Sequence, residues 1–473
     1  MGQYANGGSG HRGKTYRGLL CGAAFLTGIC QQAIAADFRV SRQSSSFDCS
    51  ALRAGDTVTL EAGTRGPLVI RRCNGSSSDP IVIRNDPGAG APVEIRRTSG
   101  GGGGFVFECA GCVGTVIDGT NGPGGTSGRG RYGIKVTMTG GSGPSAFLKI
   151  SGLSRFVTIR GVEIDGAWPS TSNNGIGISF NDHSNSASKL PGIWTEGILI
   201  EDNYVHDVQG EGMYVGPNWY SGNLPLRNIE IRRNVVENTG WDGIQLKSAI
   251  GGTNLIHHNV IRRAGKSPSK GQLYGISLLD GTGNIYNNWV EGTGDAGIQH
   301  FLHHLPRSYG DQAAEIFNNV VARTGLVRLG PGHGIVSNNR NGYARPVARI
   351  YNNTVVGSQD SGIYVGGEAS NGFVRDNLVA DSVDAPIRVP ATVKAINNRV
   401  GSVSQMQFVD ASALNFRLEA TSPARNAGSD VFPQVDYDGT PRPQDGQADQ
   451  GAFEFDAGQQ LSQPLAPNGL VVE

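Results

Sequence analysis

The chain has 473 residues, with 40 Lys and Arg against 40 Asp and Glu, 72 glycines and 17% charged residues. This balance removes any global electrostatic argument for nucleic acid or an anionic membrane as partner, and the composition is neither collagen-like nor that of a charged disordered polymer. A chain of this length and hydrophobicity can bury a large core.

Residues 1–36 read as a signal peptide. Arg12, Lys14 and Arg17 precede the apolar stretch Leu19 to Ile29, and Ala33 to Ala35 offers small residues for cleavage. The stretch is too short to span a bilayer, and nothing later is long and apolar enough to do so. Cys21 and Cys30 follow Leu20 and Ile29, where a lipid-attachment motif needs a small residue. The expectation is a secreted or periplasmic monomer that begins near Asp37 and has no membrane partner. Four cysteines then remain, and an even number in an exported chain predicts disulfides. The local pairing is Cys49 with Cys73 and Cys109 with Cys112. A metal site is the rival reading, but only one pair is close in sequence and no His neighbours it.

Residues 37–150 form N-terminal coils, opened by Ala54 to Leu60 and Pro80 to Ile83. The glycine runs at 100–104 and 122–130 are loops rather than phosphate cradles, since neither a P-loop lysine nor a strand–helix context accompanies them. From 151 to 400 the chain repeats itself. Asn203 leads to Gly212-Met213, Asn234 to Gly243-Ile244, Asn259 to Gly275-Ile276, Asn288 to Gly297-Ile298, Asn319 to Gly334-Ile335 and Asn353 to Gly362-Ile363, with weaker copies at Asn377 and Asn398. The asparagines lie 31, 25, 29, 31, 34, 24 and 21 residues apart, the period of a solenoid coil with loops of variable length. Each copy holds short β-branched runs separated by turn residues, too short for helices. One copy cannot bury its apolar side alone, so the copies must stack into an all-β solenoid, a right-handed parallel β-helix. The repeated Asn can then hydrogen-bond to its counterpart in the coils above and below, which is a structural role. Residues 401–455 close the repeat, and 456–473 read as a disordered tail.

Aligning the Gly-Ile steps assigns columns, because residues two apart on a strand share a side. Before the glycine stand Glu211, Asp242, Tyr274, Ala296, His333 and Ser361. After the apolar residue stand Tyr214, Gln245, Ser277, Gln299, Val336 and Tyr364, and two further on Gly216, Lys247, Leu279, Phe301, Asn338 and Gly366. These columns are expected to face solvent on one sheet, as a polar and aromatic patch suited to an extended sugar polymer. Between residues 245 and 350 eleven Lys or Arg stand against five acids, which favours an acidic polysaccharide as partner.

The run Asp242 to Ser248, followed by Asn254 to Asn259, resembles the catalytic segment of the β-helical polysaccharide lyases that include chondroitinase B and one group of alginate lyases. The resemblance implies β-elimination on a uronic-acid polymer, with Lys247 as the base that takes the C5 proton. That family's Arg-His-Gly in the next coil has no match, since Ser277 to Gly281 stands there, so the arginine's role is not carried over. Tyr274 or Tyr214 is then the candidate proton donor. Gln245, Gln299 or a Ca2+ ion held by Glu211 and Asp242 would neutralise the substrate carboxylate; Ser277 and His333 complete the candidate binding set, and no cofactor is otherwise required. The runs Ser422 to Gly428, Asp436 to Arg442 and Ala448 to Glu454 resemble the closing segment of many bacterial β-helix proteins, where it caps the last coil.

Two other readings compete. Gly330 to Ile335, which contains His333, resembles a motif of the polygalacturonases, inverting glycosidases on this fold, but their paired aspartates are absent. A glycoside hydrolase could instead use Glu211 and Asp242, one coil or about 5 Å apart in the stacking direction. The Asp-Pro-His-Asp of the alginate epimerases is also absent. A non-catalytic carbohydrate-binding β-helix is the third reading, against which the clustering of Lys247, Tyr214 and Tyr274 counts. His303 and His304 fall in an insertion and lack a third metal partner at any recognisable spacing. His300 falls in the inward column and reads as core.

Overall fold

A computed structural model describes residues 35–98, 104–122, 131–139, 145–169, 175–181, 190, 192–217, 224–268, 271–429 and 433–457. Residues 1–34 of the segment read as a signal peptide, most of the two glycine runs and the tail from 458 lie outside these residues. Among the described residues, short strands wind into three long parallel sheets of 14, 12 and 12 strands, and a typical coil gives one strand to each sheet. In one coil these strands are Leu226–Arg232, Val235–Glu237 and Ile244–Lys247; in the next they are Leu255–His257, Val260–Arg262 and Ile276–Leu279. The chain is a right-handed parallel β-helix. Its interior is a continuous column of Ile, Val and Leu, among them Ile244, Ile276, Ile298, Ile335 and Ile363, all fully buried. Among the described residues no helix is long and apolar enough to cross a membrane.

The expected asparagine ladder runs through the turn between the first and second sheets. The backbone N–H and the side-chain amide of Asn203, Asn234, Asn259, Asn288, Asn319, Asn353 and Asn377 each donate to Oδ1 of the next asparagine, up to Asn398, at 2.9–3.1 Å. The same amide donates to a carbonyl of the preceding coil, as Asn259 does to Ile231 at 2.9 Å. The residue before each ladder asparagine is left-handed, including Asp202, Arg233, His258, Asn287 and Asn318 at φ 52–56°. Asn and Asp tolerate that conformation best, which accounts for the Asn-Asn and Asp-Asn pairs of the repeat.

The recurrent glycine of the Gly-Ile step has a steric reason. A Cβ on Gly243 would lie 2.6 Å from the carbonyl oxygen of Gly275 one coil on and 2.7 Å from Cγ2 of Ile261. Coils therefore close to the sheet spacing of about 4.8 Å only with glycine there.

The structure pairs Cys49 with Cys73 and Cys109 with Cys112, all four buried at the N-terminal end. The closing segment holds a short helix, Val403–Met406, and a hairpin, Phe408–Asp410 with Asn415–Leu418. It runs back along the outside of the second sheet: Phe416, Tyr437 and Phe453 join Tyr204, Val260, Trp289 and Val320 in a second apolar cluster. The left-handed Asn287, Asn318 and Asn352 donate to its carbonyls. The segment thus buttresses one side, while Ile396 and Val400 of the last coil stay exposed.

Removing a mid-ladder asparagine strands several buried donors and acceptors at once. Asn288→Ala is expected to cost about 3 kcal/mol in urea denaturation, and Asn398→Ala, at the half-exposed end, about 1 kcal/mol. Equal losses would contradict the ladder's stabilising role.

Candidate active site

The third sheet carries the columns read from the sequence, in the same register: Tyr214 pairs with Gln245, Gln245 with Ser277, Ser277 with Gln299, Gln299 with Val336, and Val336 with Tyr364. Arg388 extends this column by one coil, and Ser179 and Lys149 precede it. Lys247, Leu279, Phe301 and Asn338 form the next outward column. His300 is inward and fully buried, with Nδ1 3.1 Å from Ser337 Oγ and Nε2 3.1 Å from the Gly281 carbonyl, the satisfied core residue expected.

The columns point away from the core, but they are not solvated. Glu211, Asp242 and Gln245 are at most 2% exposed, and Tyr214, Lys247, Gln299 and His333 at most 9%. Side chains one coil apart cover each other. Lys247 Nζ lies 4.7 Å over the Tyr214 ring and donates to its hydroxyl at 3.3 Å. Gln245 folds back to donate to Asp242 at 2.6 Å, the Tyr274 backbone N–H donates to the other Asp242 oxygen at 3.0 Å, and Ser277 donates to Gln299 at 2.8 Å. At Gly216 (φ 94°) a Cβ would stand 2.2 Å from the Lys247 carbonyl, so glycine alone admits the lysine strand there.

Burial drives the charges of this cluster towards neutrality. It pushes the Glu211 carboxyl up to about 7 and the Asp242 carboxyl up to about 8, the latter with a further push from Glu211. Burial lowers the Lys247 amine, against the opposing pull of Asp242, Glu211 and Asp280. It raises the Tyr274 phenol, helped by Asp295 and Asp242, so that this group keeps its proton. The Lys247 amine, its pKa depressed, beside the Tyr214 hydroxyl is a competent proton-transfer pair. The Glu211 and Asp242 pair is poorly disposed towards Ca2+, which asks for six to eight oxygens. Both Asp242 oxygens are already engaged, and among the described residues no trio of metal-ligand atoms gathers there.

Next to this cluster, towards the C-terminus, opens a cleft of about 430 Å³ lined by Tyr274, Asp295, Gln299, Phe301, His333, Asn338, Asp360, Tyr364 and Arg388, among others. The His333 ring stacks on Tyr364 at 4.7 Å, and its Nδ1 lies 3.3 Å from Asp360. Asp295 accepts the Gly332 N–H at 2.8 Å, and its carboxyl is raised by burial with a smaller push from Asp360. Of the residues singled out by sequence, Tyr274, Gln299 and His333 line this cleft, whereas Glu211, Tyr214, Asp242, Gln245, Lys247 and Ser277 belong to the cluster beside it. Asp295, Asp360 and Arg388 were missed. Arg388 was within reach of the column alignment, but Pro386 replaces the glycine of the Gly-Ile step there. The basic excess between 245 and 350 lies largely off this sheet: Arg262, Arg307, Arg323, Arg345 and Arg349 pair with Glu237, Glu368, Glu291, Asp311 and Glu315. Among the described residues, the cations on or beside the face include Lys149, Lys247, Arg340 and Arg388.

The sequence profile of the family described as "Right handed beta helix region" matches residues 149–304. No curated protein sequence matches the chain. Among solved structures, the pectate lyase Pel9A is similar at 13% identity and a TM-score of 0.51, covering 89% of this chain and 96% of that one. The lacto-N-biosidase from Eubacterium ramulus follows at 12% identity and 0.45, covering 78% of this chain and 68% of that one. An alginate lyase from Paenibacillus sp. str. FPU-7 stands at 14% and 0.36, covering 78% and 99%. At these identities the likeness is one of fold.

Carboxyls whose folded-state values exceed the ordinary value of about 4 stabilise the fold fully below that pH and lose the contribution as pH rises through the folded values. For Glu211 and Asp242 the loss therefore falls between about pH 4 and pH 8. Asp242→Asn is expected to flatten the fall in urea midpoint across this window. A fall as steep as in the wild type would contradict the assignment.

Proposed function

We propose that this chain is an exported polysaccharide lyase that cleaves a uronic-acid polymer by β-elimination along the third sheet. The observation that carries the reading is the buried, pKa-depressed Lys247 amine in hydrogen bond with the Tyr214 hydroxyl, in the cluster beside the cleft. The uncharged amine takes the C5 proton, and the electron pair, held transiently on the carboxylate, forms the C4–C5 double bond as the C4–O4 bond breaks. The leaving oxygen takes the Tyr214 proton, and Lys247 returns its proton to the phenolate across the same hydrogen bond. Gln245 and Gln299 supply amides to the charge developing on the carboxylate. Arg388, five coils or about 24 Å from Lys247, offers a cation to another carboxylate along the chain. The solved structure that resembles the fold at a TM-score of 0.51 is that of the pectate lyase Pel9A, which supports this class of substrate.

The cleft favours one second reading. Asp295 and Asp360 both line it, and a carboxyl with a raised pKa facing another carboxylate is the acid–base arrangement of a glycoside hydrolase. This pair suits hydrolysis better than Glu211 with Asp242, where burial raises both carboxyls.

One screen separates the readings. On alginate, polygalacturonate, glucuronan or a glycosaminoglycan, elimination leaves an unsaturated uronyl end that absorbs in the ultraviolet, whereas hydrolysis leaves reducing ends alone. An absorbance increase is expected on at least one polymer, with kcat falling about 10²–10⁴-fold in Lys247→Ala and KM changing little. Lys247→Arg is expected to be nearly as inactive, because a guanidinium keeps its proton. Reducing ends without absorbance, abolished by Asp295→Asn and untouched by Lys247→Ala, would establish the hydrolase instead.

A further inference from the structure

Sequence spacing gives His303 and His304 no third partner, but the coil stacking does. Asp280 ends the third-sheet strand Ile276–Leu279, and the two histidines follow the next strand of that sheet, Ile298–Leu302. Leu279 pairs with Phe301, so the turn residue of one coil lies against the insertion of the next. Oδ1 of Asp280 accepts three consecutive backbone N–H groups, from His303, His304 and Leu305, at 2.8, 2.9 and 3.0 Å. That grip fixes the carboxylate and turns Oδ2 towards the imidazoles, 3.3 Å from His303 Nδ1 and 3.7 Å from His304 Nδ1. The three donor atoms lie within 4.8 Å of one another.

We propose that Asp280, His303 and His304 form a binding site for a first-row transition ion of the Zn2+ class, at the edge of the third sheet beside Lys247. Donors bound to one tetrahedral ion at about 2.0–2.1 Å stand about 3.3 Å apart, close to the two measured separations. His303 Nδ1 is buried and has no hydrogen-bond partner, although a carboxylate oxygen lies this near. Burial lowers both imidazoles, that of His303 to about 4, so their nitrogens keep lone pairs at neutral pH. Two imidazoles and one carboxylate suit Zn2+, Co2+ or Ni2+ rather than Ca2+. The backbone grip on Oδ1 is the outer-shell support that ligating carboxylates usually have. The histidine side chains are 27% and 24% exposed, which leaves access for an ion and for a water or substrate oxygen as a further ligand.

Another trio, Asp165, His206 and Asp207, is of similar composition but is arranged differently. There His206 makes a 2.8 Å hydrogen bond to Asp207 and lies 3.7 Å from Glu163, an imidazolium held by carboxylates rather than a ligand set. It serves as the internal control.

The site is tested by titrating the mature protein with ZnCl2 in a calorimeter and with Co2+ by visible absorption, both independent of any enzymatic reading. One ion per chain is expected, with Co2+ giving the intense d–d bands of a low-coordinate nitrogen and oxygen site. His303→Ala and His304→Ala should each weaken binding at least about 10-fold, the double variant should abolish it, and His206→Ala should leave it unchanged. The hydrogen bonds from this loop to Asp280 Oδ1 come from backbone N–H groups, so both histidine variants keep those bonds, and circular dichroism checks that they fold. The absence of saturable binding in the wild type, or unchanged binding in the double variant, would overturn the site.

Discussion

The asparagine ladder is the constraint on which the rest of the structure depends. Each rung ties the turn of one coil to the next through two hydrogen bonds to a single oxygen, and a shift of one residue would break both. Sheet pairing alone tolerates slippage where side chains repeat, whereas a buried amide with saturated partners does not. Register fixed at this turn is inherited by the third sheet on the far side of the coil. There it aligns Tyr214, Gln245, Ser277 and Gln299, residues otherwise 22 to 32 positions apart in sequence.

That alignment has an electrostatic consequence. Stacking places Glu211 directly before Asp242 and lays Lys247 along Tyr214, with each group covering its neighbour. Water is excluded from acids and an amine together, and all three move towards their neutral forms. A neutral amine is what a proton-abstracting lysine requires, and the stability surrendered to burial is supplied elsewhere. The apolar interior and the closing segment packed along the second sheet leave the third sheet free of structural duty on its outer side.

Much of this was written in the sequence because two residue types carry steric and hydrogen-bond demands that nothing else meets. The glycine before each inward isoleucine and the asparagine at each turn mark the coils, so columns could be read from spacing alone. The exposure of those columns could not, since it depends on how side chains of adjacent coils lie over one another. Arg388 was hidden where Pro386 interrupts the glycine pattern, and Asp295 and Asp360 lie one position ahead of the columns that the Gly-Ile steps define. Basic residues counted along the chain suggested an anionic partner, but inter-coil pairs such as Arg349 with Glu315, 34 residues apart, absorb most of that charge. The path of the closing segment was equally hidden, because it has no period: it touches the last coil at Asn397 and Arg399 and also runs along the second sheet.

The account's central claim is that an acidic sugar chain lies along the third sheet with Lys247 at the reacting bond. A crystal structure of the Lys247→Ala protein with a uronate oligosaccharide from the cleaved polymer tests it most directly. The account predicts sugar rings running across successive coils from Tyr214 towards Arg388, with C5 of one ring facing the space vacated by the lysine amine. Sugar bound on the first or second sheet, or in the cleft with its glycosidic bond between Asp295 and Asp360 and far from residue 247, would contradict it.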